Sequence, residues 1–181
     1  YPKQLPAVPA QQNIEAYSWN ENVKQQVMQG ASILLLADTA AIRSDADPVF
    51  SGISWNTVRS GMPPNLLGIL CDPEHSALKY FPTEFHSNWQ WWDVVRNSKP
   101  LVLDHTPASF RPLVQMVPDW NKNNKIGLII EAKVGKGRLL FSAVDLKNIL
   151  ALRPVARQLL YSLQQYMNSD DFAPVEELSV E

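Results

Sequence analysis

The most unusual stretch of this 181-residue chain is a tryptophan-rich segment, residues 81–93. Flat indole rings can stack on sugar rings, while nearby amide, imidazole and carboxylate groups hydrogen-bond sugar hydroxyls. The same rings suit packing against a neighbouring domain, because tryptophan is enriched at protein interfaces. We favour packing or an interface over a ligand site. The segment supplies the candidate ligand or interface residues, which are Glu84, His86, Asn88, Trp89, Trp91 and Trp92.

The only cysteine, Cys71, is a second candidate for chemistry. It ends an apolar run and precedes a predicted helix start, which is where an α/β enzyme presents a nucleophile. A sharp nucleophile elbow needs small residues two positions to either side, but those positions hold Ile69 and Pro73. The sequence therefore favours a buried, unreactive thiol. A lone cysteine also excludes an internal disulfide and a cysteine-based zinc cluster.

The acidic and histidine residues do not form a recognisable metal or catalytic motif. None of the three histidines falls in a spacing that puts two ligands on one helix face. Asp72 is explained as a helix cap and Glu74 as an acid in a first helical turn. Glu131 and Asp145 have no evident partner for a glycosidase pair. We therefore expect no catalytic residue, no metal and no cofactor in this chain.

Composition excludes two classes of partner. The chain has 16 basic and 18 acidic residues, so its net charge of −2 does not suit a nucleic-acid binder. Charged residues make up only 19%, against a usual share of about 25%. The sequence has no apolar run near the ~20 residues that cross a bilayer, so we expect no membrane partner.

The elements that must position these residues alternate between strand and helix patterns. Two apolar runs, residues 31–37 and 66–70, predict strands that are buried on both faces, as in a parallel sheet covered by helices. Runs at 126–134 and 138–144, joined by a Gly-Lys-Gly turn, predict a β-hairpin, and helical spacing from Arg153 onward predicts a closing helix. Further predicted elements are a helix capped by Asn20 that ends at Gly30, a helix over 73–80, and strands at 49–57, 100–104 and 112–117, the last at a sheet edge. Together they predict a three-layer α/β sandwich with a mostly parallel sheet.

The two ends of the chain differ in composition from its centre. Residues 1–11 are proline-rich and predict a linker, and residues 168–181 are acidic and predict a solvated tail. The sequence thus predicts a single α/β domain at 12–167, with a segment on each side that connects it to other parts of a longer chain. We interpret the chain as a piece of a longer protein.

Five runs of the sequence, residues 67–75, 81–92, 111–115, 134–140 and 153–159, carry a likeness to a known family. Over roughly residues 12–167 the chain resembles a C-terminal domain of large bacterial enzymes of glycoside hydrolase family 2, the β-galactosidase-like group. The resemblance implies a flavodoxin-like fold similar to class I glutamine amidotransferases. It also implies catalytic carboxylates on a separate barrel domain, and a parent enzyme in the periplasm or outside the cell. The Gly-x-Cys-x-Gly elbow and the late His-x-Glu of the amidotransferases are absent from this sequence.

These observations predict a non-catalytic accessory domain of a family 2-like glycoside hydrolase, with the other domains of its parent enzyme as partners. Two alternatives stay open. One is a carbohydrate-binding module that uses the tryptophan segment as a platform. The other is a cysteine-dependent, amidotransferase-like hydrolase built on Cys71.

Overall fold

A mixed β-sheet with helices on both of its faces forms the framework of the protein. The computed structural model describes residues 1–8, 13–46, 48, 67–118 and 123–179. Over these residues the strands are β1 (Ile14–Ala16), β2 (Ser32–Leu36), β3 (Gly68–Cys71), β4 (Leu101–Val102), β5 (Val114–Val117), β6 (Ile126–Val134) and β7 (Gly137–Ser142). The α-helices are α1 (Glu21–Met28), α2 (Trp89–Arg96) and α3 (Pro154–Met167), and short 3-10 turns lie at Thr39–Ala41, Ser76–Leu78 and Leu150–Leu152.

The strand directions correct the predicted fold class. The sheet order is β1-β2-β7-β6-β5-β3, and β4 also pairs with β6. Only the β1–β2 and β2–β7 pairs are parallel, while the other four described pairs are antiparallel. The prediction of a mostly parallel, flavodoxin-like or amidotransferase-like three-layer sandwich is therefore wrong. Continuous apolar runs report burial on both faces, and an antiparallel strand covered by helices on both sides has the same pattern.

Individual elements show why the strand directions differ from the prediction. The run in β2 is buried at every position and has two parallel neighbours, as predicted. The β6–β7 hairpin is also confirmed, but it lies in the middle of the sheet and makes that region antiparallel. The second apolar run forms β3, which pairs antiparallel with β5. β5 was expected at an edge, yet it lies between β3 and β6 because its flanking prolines fall outside the paired residues.

The helices cover opposite faces of the sheet. The register places Glu131 and Arg138 on one face, and Tyr166 of α3 reaches that face with its hydroxyl 2.6 Å from Glu131 Oε2. On the other face α1 lies so close to β7 that a Cβ on Gly137 would be 2.2 Å from the carbonyl oxygen of Val27. The glycine at this position thus allows the helix backbone to approach the strand directly.

The helix predicted over residues 73–80 is reduced to the 3-10 turn Ser76–Leu78. Side chains of α3 bind the backbone groups that a helix would pair internally. Ser162 Oγ donates to the carbonyl of Ala77 at 2.7 Å and accepts from the amide of Tyr80 at 3.1 Å. The amide of Gln158 donates to the Tyr80 carbonyl. Tertiary hydrogen bonds therefore replace local ones in this segment.

The remaining predictions differ in outcome. The helix capped by Asn20 is confirmed as α1, and the closing helix is confirmed as α3 with Pro154 in its first turn. The strand predicted at 100–104 shortens to the two residues of β4. The strand predicted at 49–57 lies outside the described residues. The described helices include none that is long and apolar enough to cross a membrane.

The acidic C-terminal segment lies against the sheet. Phe172 is fully buried, with its ring 5.3 Å from the ring of Tyr166 and 5.1 Å from the guanidinium of Arg138. Further on, Lys133 donates its amide to the Glu176 carbonyl at 2.7 Å and accepts from the Leu178 amide at 2.9 Å. We call residues 172–178 the C-terminal strap. The segment expected to be a solvated tail is thus held to β6 by a buried ring and two backbone hydrogen bonds.

Candidate functional site

The tryptophan segment folds as a helix that divides its three indoles between two environments. Asn88 caps α2, because its Oδ1 accepts a hydrogen bond from the amide of Gln90 at 3.1 Å. Trp91 is fully buried, whereas Trp89 is 89% exposed and Trp92 is 42% exposed. Residues three apart share a helix face, so Trp89 and Trp92 lie together on the outer face. We call these two side chains the aromatic ridge.

Trp91 belongs to the core and not to a surface platform. Its indole nitrogen donates to Thr83 Oγ1 at 2.8 Å. Its ring meets Phe81 edge-on, with 5.2 Å between ring centroids. The polar atom of the indole is therefore satisfied inside the protein, as buried tryptophan requires.

The aromatic ridge borders a small concavity on the outer face of α2. Ser87 and Asn88 join Trp89 and Trp92 in lining a space of about 230 Å³. The guanidinium of Arg96 lies 5.9 Å from the ring centroid of Trp92. Indole faces, a hydroxyl, an amide and a cation thus lie together, which suits either a sugar ring or a protein surface.

Glu84 and His86 lie beside the edge of the sheet. Their side chains approach each other, with 3.3 Å between Glu84 Oε2 and His86 Nε2, and both are at least half exposed. The backbone of residues 85 and 86 covers β3, since Phe85 accepts from the Cys71 amide at 3.0 Å and His86 bridges Leu70. Of the candidate residues, Asn88 therefore has a capping role and Trp91 a core role, while Trp89 and Trp92 form the exposed surface.

The environment of Cys71 does not favour a nucleophile. Burial, and then the charge of Asp72, raise the pKa of the Cys71 thiol to about 11. The thiol lies 3.3 Å from the carbonyl oxygen of Glu84, to which it donates. His75, the nearest histidine in sequence, uses its Nδ1 to accept from the amide of Ala77. A protonated thiol does not attack a carbonyl at neutral pH.

The charged groups around the start of α3 have a structural role. Arg153 donates its Nε to both carboxylate oxygens of Asp93 at 3.1 Å and its Nη1 to the carbonyl of Asp145 at 2.7 Å. Burial acts to raise the pKa of Asp145, but hydrogen bonds from Asn148 and Lys147 and the charge of Arg153 outweigh it and lower that pKa. Asp145, which had no evident partner in the sequence, thus helps to join α2 to α3. Among the residues that the structure describes, no group of three acids, histidines or cysteines could hold a metal ion.

Sequence reasoning missed a cleft of about 510 Å³ beside the C-terminal strap. Six of the side chains that line it are Leu70, Phe85, Arg111, Glu131, Val175 and Glu176. They come from β3, β6, the strap and two loops, so no local sequence motif indicates the cleft. The sequence shows no partner for Glu131, because its partners are far away along the chain.

The fold and the site define a mixed α/β domain with a mainly antiparallel sheet, an exposed aromatic ridge and an open polar cleft. A family model for a domain of unknown function, DUF8487, matches residues 14–181. The chain belongs to this family. No curated protein matches the chain.

Proposed function

We propose that the chain is a non-catalytic accessory domain of a glycoside hydrolase family 2-like enzyme that degrades carbohydrate. The sequence resemblance suggests the parent enzyme, with two of its runs lying in the tryptophan segment and in the β6–β7 hairpin. The proposal does not include an amidotransferase-like fold, because the sheet is mainly antiparallel. We also propose that the parent enzyme acts in the periplasm or outside the cell. Fractionation of the source cells would test this location.

The observation that carries the proposal is the exposure of the aromatic ridge. An indole that is 89% exposed leaves a large apolar area in water. Burial of such a side chain contributes about 1.5–3 kcal/mol. Exposed apolar patches on a soluble domain are typical of surfaces that another molecule covers. The partner that we propose is another domain of the same parent enzyme.

The chemistry of the described residues supports a role without catalysis. The thiol of Cys71 is protonated at neutral pH, and Asp93 and Asp145 are bound to Arg153. We propose that the catalytic groups lie on a different domain of the parent.

Comparing one double variant in two contexts tests this role. In the isolated chain, Trp89→Ala with Trp92→Ala should lower the free energy of unfolding by no more than about 1–2 kcal/mol, because Trp89 is almost fully exposed and Trp92 is only partly covered. In the parent enzyme the same change should lower the melting temperature and speed proteolysis at the domain boundary. Leu152→Ala, which removes an exposed apolar side chain elsewhere, is the matched control.

Two outcomes would refute the proposal. One is an equal effect of the double variant in the isolated chain and in the parent. The other is hydrolysis of aryl glycosides by the isolated chain at enzyme-like rates, with one of its own carboxylates required. The coding sequence around the chain supplies a further check, because the proposal expects a glycoside hydrolase barrel in the same reading frame.

The concavity beside the aromatic ridge favours a second candidate function, which is carbohydrate binding by the chain itself. Ser87 and Asn88 supply hydrogen-bonding groups next to two indole rings. Calorimetry with neutral mono- and oligosaccharides of glucose, galactose, mannose and xylose should then show saturable binding. Trp89→Ala should abolish it and Leu152→Ala should not. Absence of binding across this set, or binding that survives Trp89→Ala, would exclude the ridge as a sugar site.

A further inference from the structure

The cleft beside the strap results from the way two segments share one edge of β6. On that edge β5 pairs with β6 as far as Ile129, which lies opposite Val114, after a register shift between Val114 and Gln115 of β5. The strap joins the same edge at Lys133. Glu131 lies between these two attachment points, on the strand that both segments contact. The open interval between β5 and the strap forms the cleft.

The carboxylates of the cleft are each fixed through one oxygen. Tyr166 donates its hydroxyl to Glu131 Oε2 at 2.6 Å, and Ser109 donates to Glu176 Oε2 at 3.2 Å. Burial, and then the hydrogen bond to Glu131 and its charge, raise the pKa of Tyr166, so the phenol remains a donor. The second oxygen of each carboxylate has no hydrogen-bond partner within the described ranges. Two oriented acceptors are therefore available to a ligand.

A cation lies in the same cleft without pairing with these acids. Arg111 uses Nη1 to bind the carbonyls of Ala108 and Phe110, at 2.6 and 3.3 Å. Among the described residues no ion pair joins Arg111 to a carboxylate, although Glu131 and Glu176 line the same cleft. The cleft thus presents charges of both signs that do not neutralise each other.

The walls of the cleft include apolar side chains that are exposed to solvent. Leu70, Phe85 and Val175 all line it and all belong to the exposed large hydrophobic residues. A concave site with apolar walls and a few convergent polar groups is the usual form of a small-molecule site, and about 510 Å³ falls in the usual size range.

We propose that this cleft binds a small zwitterion with an apolar side chain, either a free amino acid or a short peptide. The ammonium group of the ligand lies at Glu131 and Glu176, its carboxylate lies at Arg111, and its side chain contacts Leu70 and Phe85. The ammonium, the carboxylate and the side chain of the ligand thus each contact a complementary group of the cleft. The inference does not rest on the accessory role, and the two can fail separately.

Three matched ligands test the charge requirements on the full 181-residue chain. Leucine carries both charges, leucinamide lacks the carboxylate, and N-acetylleucine lacks the ammonium. Calorimetry or amide chemical shifts should show that leucine binds at least about tenfold more tightly than either derivative, because each lost charge leaves a fixed partner unpaired. Leucyl-leucine separates the two sources, since tighter binding than leucine indicates a peptide and weaker binding a free amino acid.

Variants assign the charges to residues. Glu131→Gln should weaken leucine binding by about tenfold, while N-acetylleucine should be unaffected. Arg111→Gln should weaken leucine but leave leucinamide unchanged, which separates loss of the contact from loss of the fold. Glu177→Gln is the matched control, because it removes the same charge from the same strap at a residue outside the cleft lining. The proposal is overturned if leucine does not bind, if all three ligands bind equally, or if Glu177→Gln has the same effect as Glu131→Gln.

Discussion

The division of the tryptophan segment into a core residue and a surface residue makes a quantitative prediction. Trp91 and Trp89 lie two positions apart on α2, yet one is fully buried and the other is 89% exposed. Replacing each by alanine removes the same atoms from the same helix. Helix propensity therefore changes equally in the two variants, and the difference between them measures burial.

The expected magnitudes follow from the contacts of each indole. Trp91→Ala removes a buried ring, its edge-on contact with Phe81 and its hydrogen bond to Thr83. Truncations of this kind cost about 3–5 kcal/mol. For a domain of this size each 1 kcal/mol shifts the melting temperature by about 2–4 °C, so we expect a decrease of roughly 6–20 °C. Trp89→Ala should change the free energy of unfolding by less than about 0.5 kcal/mol.

Urea unfolding followed by far-ultraviolet circular dichroism is the appropriate assay. Tryptophan fluorescence is unsuitable, because each substitution also removes a reporter. The midpoint of Trp91→Ala should fall with an unchanged slope, which shows that stability and not the two-state behaviour has changed. Trp91→Phe, which keeps an aromatic ring but loses the hydrogen bond to Thr83, should lie between the two. Equal costs for Trp89→Ala and Trp91→Ala, or a cost below about 1 kcal/mol for Trp91→Ala, would refute the assigned burial.

Three further predictions concern packing and titration. Asp93→Asn should lower the free energy of urea unfolding by about 1–3 kcal/mol, because the largely buried guanidinium of Arg153 loses one of its two charged partners; an unchanged midpoint would contradict the bridge between α2 and α3. Gly137→Ala should lower the free energy of unfolding by about 1–3 kcal/mol or more, because the new Cβ would clash with the backbone oxygen of Val27. An unchanged stability would show that α1 does not lie against β7. The pKa of Cys71 rises from 9.0 to about 11, so its alkylation by iodoacetamide at pH 8 should be roughly 100-fold slower than in urea and should increase between pH 9 and 11. Equal rates in the folded and unfolded chain would show that the thiol is not held in its protonated form.

Local signals in the sequence predicted the elements whose determinants are local. Asn20 caps α1 through its side chain, and the glycines of the β6–β7 turn allow a backbone with positive φ at Gly135. The amphipathic spacing after Arg153 predicted α3, because a helix repeats its buried face every three to four residues. Each of these signals lies within a few positions of the structure that it specifies.

The direction of the strands could not be predicted in the same way. An apolar run such as Leu34 and its neighbours shows that both faces are covered, but neither local propensity nor burial shows which strands pair. The pairing of β3 with β5 joins residues more than 40 positions apart, with Leu70 opposite Gln115. The segment after Asp72 departs from its predicted helix for a related reason, because side chains of α3 bind its backbone.

The tryptophan segment carries a local signal for its own helix. Asn88 stands directly before four residues that contain three indoles, which is the position of a helix cap. Once a helix is assumed there, a spacing of three places Trp89 and Trp92 on one face and leaves Trp91 on another. The sequence could therefore have separated the exposed pair from the core indole without any tertiary information.

The cleft differs from the aromatic ridge because no single segment of the sequence specifies it. It depends on the end of the β5–β6 pairing at Ile129, and one wall depends on the strap, which is held by the burial of Phe172. The two cleft carboxylates, Glu131 and Glu176, are 45 positions apart and are oriented by Tyr166 and Ser109 from two other segments. A site of this kind depends on tertiary structure at every residue, so changes far from the cleft, such as loss of the Phe172 ring, should affect ligand binding by releasing the strap.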